Sequence, residues 1–209
     1  MHKVYVLGLG PGSKEYILPV TTKIISTCDV LIGGKRNLQY FEGHGKEVLY
    51  IDGYLNVLID YVKKHREKKK IAFLLSGDTG FYSMLNFLKK YFSADELEVV
   101  PGISSYQYLA AKIKETWQDA FVGSLHGRSF EFLDIIKKYN KVFLLTDHKH
   151  SPTEIARSMV QNKILGKIMV VGENLSYDEE RIITGKPEEI MEMEDFNMSV
   201  VVIKNAVDV

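Results

Sequence analysis

A chain of 209 residues carries 27 lysines and arginines against 27 aspartates and glutamates, so no net field draws it to nucleic acid or an anionic membrane, and an anionic partner must meet a local basic cluster. Apolar residues at 45% and charged residues at 26% are those of a globular protein with core enough for one domain or two small ones. A lone cysteine, Cys28, excludes an internal disulfide framework or a paired-cysteine zinc site and fits a reducing cytoplasm, while no apolar run reaches the ~18 residues of a membrane span and the opening strand argues against a signal peptide.

Lys3 to Leu9 (KVYVLGL) reads as a buried strand running into Gly8-Leu9-Gly10-Pro11-Gly12. A dinucleotide fold would show G-x-G-x-x-G here. Ser13 stands in the third glycine position and Pro11 has no N–H for a pyrophosphate, so the loop reads as the floor of a ligand pocket and not as a phosphate cradle. Val20 to Thr27 is expected to be helical and Val30 to Ile32 a short strand. Gly33-Gly34-Lys35-Arg36-Asn37 then opens a helix with two cations set against its dipole; carboxylate binding would explain them, and so would a solvated turn. Glu47 to Ile51 is a strand, Leu55 to Lys64 an amphipathic helix, and HREKKK at residues 65–70 a charge run. Without interleaved aromatics that run reads as a solvated helix end before a nucleic-acid patch.

Ile71 to Ser83 (IAFLLSGDTGFYS) holds the strongest local pattern. Five apolar residues, Ile71 to Leu75, fit a strand covered on both faces in a parallel sheet. Ser76 to Gly80 turns the chain, and Phe81 to Tyr91 is expected to be a helix, the geometry that places ligands at the carboxyl end of a sheet. Asp78 then stands at a helix entrance, where it or Thr79 caps the helix or meets a ligand. Leu97 to Val100 is a strand leading to Pro101-Gly102-Ile103-Ser104-Ser105 and a helix over Tyr106 to Ile113; the serines serve as caps or admit a ligand to the helix start. The pattern resets around Lys114 to Asp119.

Beyond it, strands at Ala120–Ser124, Lys141–Thr146, Lys167–Gly172 and Ser199–Lys204 alternate with helices at Glu131–Tyr139, Pro152–Gln161 and Pro187–Met193, so both halves are α/β. His126 and Arg128 form a histidine–arginine pair on a glycine turn. His148 and His150 lack a third spaced ligand, so no metal site is expected, and without a G-x-S-x-G elbow nucleophilic hydrolysis has no support.

GLGPG after the first strand, SGDTGFYS after the fourth and PGISS before the next helix together resemble the tetrapyrrole (corrin/porphyrin) methylases, and the resemblance extends along essentially the whole chain. Within the family, GGKRNL at 33–38, SLHGR at 124–128 and GENLSYDEERI at 172–182 resemble the branch that methylates C-5 of cobalt-precorrin-7 (the precorrin-6Y methylase branch) in cobalamin biosynthesis. The resemblance implies two α/β domains, residues 1–114 and 115–209, with the active site in the cleft between them. It implies S-adenosylmethionine as cofactor, met by Leu9, Gly77, Asp78, Gly80, Phe81, Ser104 and Ser105. Thr79 departs from the family, whose members often have proline there. The resemblance further implies a cytoplasmic homodimer with no resident metal and cobalt only within a corrinoid substrate.

S-adenosylmethionine has no phosphate, so a proline-stiffened glycine turn loses nothing. Its methyl is already electrophilic and the macrocycle carbon is the nucleophile, which leaves the protein to align the partners and supply preorganised dipoles. His126 is the candidate for proton adjustment. A ring bearing acetates and propionates calls for scattered cations, and Lys35, Arg36, Arg128 and Arg181, with Pro11, are the expected substrate-binding residues. A diphthine synthase-like protein methylase, a ribosomal-RNA methylase, and a non-catalytic nucleotide-binding module are the rivals; neutrality argues against the RNA version. Related bacterial proteins fuse a second methylase and decarboxylase acting at C-15, and a chain ending at Val209 leads to the expectation of a separate C-15 enzyme as partner.

Overall fold

The computed structural model describes residues 1–43, 45–127, 131–194 and 196–206, which sort into two compact units, Met1–Ser104 and Ser105–Val209. The first contains β1 (Val4–Gly8), α1 (Pro19–Thr27), β2 (Val30–Gly33), α2 (Lys35–Leu38), β3 (Glu47–Tyr50), α3 (Leu55–His65), β4 (Ile71–Leu75), α4 (Leu85–Leu88) and β5 (Leu97–Val100). Its sheet runs β3-β2-β4-β1-β5 and every pairing is parallel. Alternate residues of β4 feed two cores. Ile71, Phe73 and Leu75 pack with Leu58, Ile59 and Val62 of α3, while Ala72 and Leu74 pack with Ile25 of α1 and Leu38 of α2. Two covered faces are why the strand reads as an unbroken apolar run.

The helices begin and end where local chemistry allows. Pro19 opens α1 at its first turn, where a missing N–H costs nothing. At the other end the Lys46 ammonium donates to the carbonyls of Ser26 (3.0 Å) and Cys28 (2.7 Å), a cation at the negative pole of the helix. Burial pushes the Cys28 thiol up to about 11, so it is an inert core group.

The second unit contains α5 (Ser105–Lys112), β6 (Phe121–Ser124), α6 (Phe132–Lys138), β7 (Lys141–Leu145), α7 (Pro152–Gln161), β8 (Lys167–Glu173), β9 (Arg181–Gly185), α8 (Pro187–Ile190) and β10 (Ser199–Asn205). Its sheet runs β6-β7-β10-β8-β9; β6 and β7 are parallel and the other pairs antiparallel. Helix α7 is capped by Ser151, whose Oγ accepts from the Glu154 N–H, and buries Ile155, Ala156 and Met159. Among the described residues no helix is long and apolar enough to cross a membrane.

Three expectations change. The helix expected over Phe81 to Tyr91 shrinks to the single turn α4, because Tyr82 adopts φ +48°, a left-handed conformation that no helix tolerates. Asp78 therefore stands in a long irregular turn and not at a helix entrance. Arg181 to Gly185, expected only as part of a motif, is edge strand β9, half exposed and ending in glycine, so its alternation is weak. Finally α5, expected in the first half, sorts with the second: the Tyr106 ring meets Phe143 (centroids 6.1 Å apart) and Trp117 (5.5 Å), all in that unit.

The carboxyl ends of β1, β4 and β5 meet backbone to backbone. Gly10 and Gly77 exchange both amide hydrogen bonds, at 3.2 and 2.8 Å, and the Leu9 N–H donates to the Leu75 carbonyl at 2.9 Å. A Cβ on Gly8 would lie 2.5 Å from the Gly102 nitrogen and 2.8 Å from the Gly77 carbonyl oxygen. One on Gly102 would collide with that same oxygen and with Gly8 Cα at 2.9 Å. These neighbours are main chain and cannot swing aside. Gly102→Ala is expected to cost about 1–3 kcal/mol or more in urea unfolding. Gly34→Ala, where a new Cβ meets nothing within 4 Å, is expected to stay within about 0.5 kcal/mol of the parent.

Candidate functional site

The loops that leave the first sheet all emerge at one end, since Gly8, Gly33 and Leu75 close parallel strands in register. Leu9, Pro11, Gly77, Asp78, Gly80 and Phe81 stand in these loops, with Lys35 and Arg36 opening α2 directly after β2 and Ser104 at the end of the unit. Leu9 and Ser104 are buried, at 5% and 3% exposure; Pro11, Gly77, Asp78 and Phe81 are half-buried, and Gly80 is exposed. The Phe81 ring meets Tyr82 edge to face at 4.7 Å. Ser105 is the first residue of α5.

Asp78 ties the turn together. One carboxylate oxygen accepts from the Gly80 N–H at 2.8 Å and the other from the Gly102 N–H at 3.1 Å, so β4 and β5 loops share one carboxylate. Each oxygen has a further lone-pair direction for a ligand donor. Asp78 is the one charged side chain in Gly8–Gly12, Ser76–Gly80 and Pro101–Ser104. A neutral or cationic ligand finds glycine main chain it can approach closely and one acceptor carboxylate. The donor set thus suits a sulfonium- and ammonium-bearing group.

Beside these loops, the half-buried Arg36 donates from Nη2 to Ser76 Oγ at 3.1 Å, while Lys35 is exposed. The bond to Ser76 was not foreseen, because no spacing in the sequence links residues 40 apart.

The second unit assembles its motifs at one end of its own sheet. Ser124 pairs with Leu145, Leu145 with Val200, Ser199 with Glu173 and Glu173 with Arg181, so the segments after β6, β7 and β8 lie beside the starts of β10 and β9. His126 is exposed, and its backbone N–H donates to Ser124 Oγ at 3.3 Å. It belongs to the β6 edge and Arg181 to the β9 edge, four strand spacings or roughly 19 Å apart. Arg128 lies outside the described residues.

Arg181 Nε donates to the 2%-exposed carboxylate of Glu173, which also accepts the Asn197 N–H at 2.6 Å, and the guanidinium sits 5.1 Å above Phe196. Burial raises the Glu173 pKa, but Arg181 and Asn197 overcome that and hold it below the usual carboxylate range. Among the described residues no three His, Cys, Asp or Glu side chains form a group able to hold a metal.

Asp147, absent from the expected site residues, shapes the His126 turn. It accepts from the backbone N–H groups of Gly127 (2.9 Å), Lys149 (3.0 Å) and His150 (2.8 Å), and its Oδ1 lies 3.0 Å from His150 Nδ1. Gly127 suits the turn because its φ is +64°, which glycine adopts without steric cost. Burial raises the Asp147 pKa, yet the bonds from Gly127 and His150 prevail and bring it to about 2. A folded-state pKa below the unfolded value of ~3.9 gives stability that is complete above it and lost as pH falls toward the folded value. Asp147→Asn is expected to lose about 1–2 kcal/mol in urea unfolding at pH 7, allowing for solvent screening. The gap from the parent is expected to narrow below about pH 4; a gap unchanged down to pH 3 would contradict the assignment.

Residues 3–191 match the profile of the Tetrapyrrole (Corrin/Porphyrin) Methylases. A cobalt-precorrin-7 C(5)-methyltransferase of Salmonella typhimurium is 34% identical over 177 residues, covering 85% of this chain and 87% of that protein. A probable cobalt-precorrin-7 C(5)-methyltransferase of Methanocaldococcus jannaschii is 35% identical over 187 residues, covering 86% and 87%. The crystal structure of a uroporphyrin-III C-methyltransferase from Thermus thermophilus complexed with S-adenosylhomocysteine superposes with a TM-score of 0.77 at 17% identity, covering 97% of each chain. The glycine-lined parallel-sheet loops and the mixed second sheet are therefore those of an α/β methylase, and this chain belongs to the tetrapyrrole (corrin/porphyrin) methylase family.

Proposed function

We propose that this protein transfers a methyl group from S-adenosylmethionine to C-5 of cobalt-precorrin-7, a step of cobalamin biosynthesis. The observation that carries the reading is the Asp78 loop cluster: close-packed glycine main chain and one acceptor carboxylate held by the Gly80 and Gly102 amides, which suit the ammonium and hydroxyl donors of a sulfonium cofactor. Identity above 30% to C(5)-methyltransferases along most of the chain supports the substrate.

Leu9, Gly77, Asp78, Gly80, Phe81, Ser104 and Ser105 hold the cofactor in this reading. When bound, it supplies a methyl already electrophilic enough for a ring carbon to attack. The protein's part is orientation and water exclusion. Asp78 accepts hydrogen bonds from the cationic ligand. Pro11, Lys35, Arg36, Arg128 and Arg181 meet the acidic substituents of the ring. Arg181 is preoriented by Glu173 and Phe196 and so spends little entropy on binding. His126 is the group able to take or return a proton as the ring carbon changes state. We assign the protein to the cytoplasm as a homodimer on the family resemblance.

Two measurements check this. Incubating a cobalt-precorrin intermediate mixture with methyl-labelled S-adenosylmethionine should add one labelled methyl to the precorrin-7-level macrocycle, at C-5 by NMR. S-adenosylhomocysteine binding without any labelled macrocycle would overturn the substrate. Asp78→Ala should weaken S-adenosylhomocysteine by about 1–3 kcal/mol. An unchanged titration removes Asp78 from the cofactor site, and an equal fall in thermal stability assigns it to the loop alone.

A further inference from the structure

We propose that Ser76 and Asn37 are positioning residues for Arg36, holding its guanidinium in one orientation for a carboxylate of the substrate; the substrate class rests on the function proposed above. Arg36 is the second residue of the single-turn helix α2, too short to order a long side chain by packing along its own face. A relay of three hydrogen bonds does so. Arg36 Nη2 donates to Ser76 Oγ at 3.1 Å, Ser76 Oγ donates to Asn37 Oδ1 at 2.9 Å, and Asn37 Nδ2 donates to the Leu74 carbonyl at 3.1 Å.

The polarity of this chain is locked from both ends. Guanidinium can only donate, so Ser76 must accept from it and turn its one proton elsewhere. The Leu74 carbonyl can only accept, so Asn37 presents its NH₂ to the strand and its oxygen to Ser76. Each member thus has one permitted orientation. Leu74 is fully buried at the middle of the sheet, in register with Gly33 of β2, so the far end of the relay is among the most rigid points of the unit. One N–H of the guanidinium is spent on Ser76, and the others remain for two-point binding of a carboxylate.

Lys35 makes the contrast. It is exposed, and among the described residues nothing anchors its ammonium by a hydrogen bond. A free lysine adds charge without direction. An arginine ordered before the ligand arrives has already given up much of its rotamer freedom, which lowers the entropy lost on binding.

A double-mutant cycle tests the relay, read by KM and kcat for methyl transfer and by the Kd of uroporphyrin III, a carboxylate-rich porphyrin, titrated by absorbance. Ser76→Ala and Asn37→Ala should each raise KM and the porphyrin Kd roughly three- to tenfold, the effect of one lost hydrogen bond, with kcat changed by less than about twofold. Ser76→Thr should restore the parent values. In an Arg36→Ala background, Ser76→Ala should add almost nothing. Equal fold-losses with and without Arg36 would overturn the relay and leave Ser76 and Asn37 as fold supports. Parent-like binding by Arg36→Ala would overturn it as well. Coupling seen in porphyrin binding without methylation at C-5 would sustain the relay and refute the proposed substrate.

Discussion

The first unit depends on main-chain contact among Gly8, Gly10, Gly77 and Gly102. Three loops from three neighbouring strands approach so closely that a methyl group at Gly8 or Gly102 would collide with backbone atoms. The consequence is chemical as well as steric. Where loops pack main chain to main chain, the surface they offer consists of peptide groups, and a single well-placed side chain sets its charge. Asp78 is that side chain, and it also bridges two of the loops through Gly80 and Gly102. One residue therefore both closes the turn and gives it its electrostatic character.

Net neutrality conceals how the charges are arranged. The arginines of the site motifs within the described residues are committed to neighbours: Arg36 to Ser76, Arg181 to Glu173 and the face of Phe196. Glu173 is a nearly fully buried carboxylate, tolerable only because a guanidinium and a backbone N–H satisfy it. Such pairs contribute little to net stability. In the proposed function their value is direction, since a cation held in one orientation recognises a carboxylate better than one that must be ordered on binding.

The two sheets bring residues to a common end by different means. In the first, parallel pairing sends every strand's carboxyl terminus the same way, so loops after β1, β2, β4 and β5 converge without further design. In the second, antiparallel pairs place the ends of β7 and β8 beside the start of β10, which puts Leu145, Val200 and Gly172 in one row and leaves Asp147 just past the end of β7. Asp147 then shapes the turn that carries His126 through the Gly127 amide, while the His150 amide and ring hold the carboxylate itself.

The sequence by itself determined the alternation of strands and helices, the double-sided burial of Ile71 to Leu75 and the glycine motifs that mark the family. Each is a local signal, written in residues a few positions apart. It pointed to the loops of the candidate site and to Asp78, though not to the bond from Gly102, 24 residues away. Tertiary structure alone decided the rest. A left-handed Tyr82 cut the helix expected after the Asp78 turn to one turn, because contacts in the fold outweigh propensity there. Strand β9 emerged from pairing with β8, since a half-exposed edge strand has almost no alternation of its own. Packing of Tyr106 on Phe143 assigned α5 to the second unit. The partners of Arg36 and Arg181 became visible only in three dimensions, because hydrogen bonds between distant residues obey geometry, and geometry leaves no periodic trace in a chain.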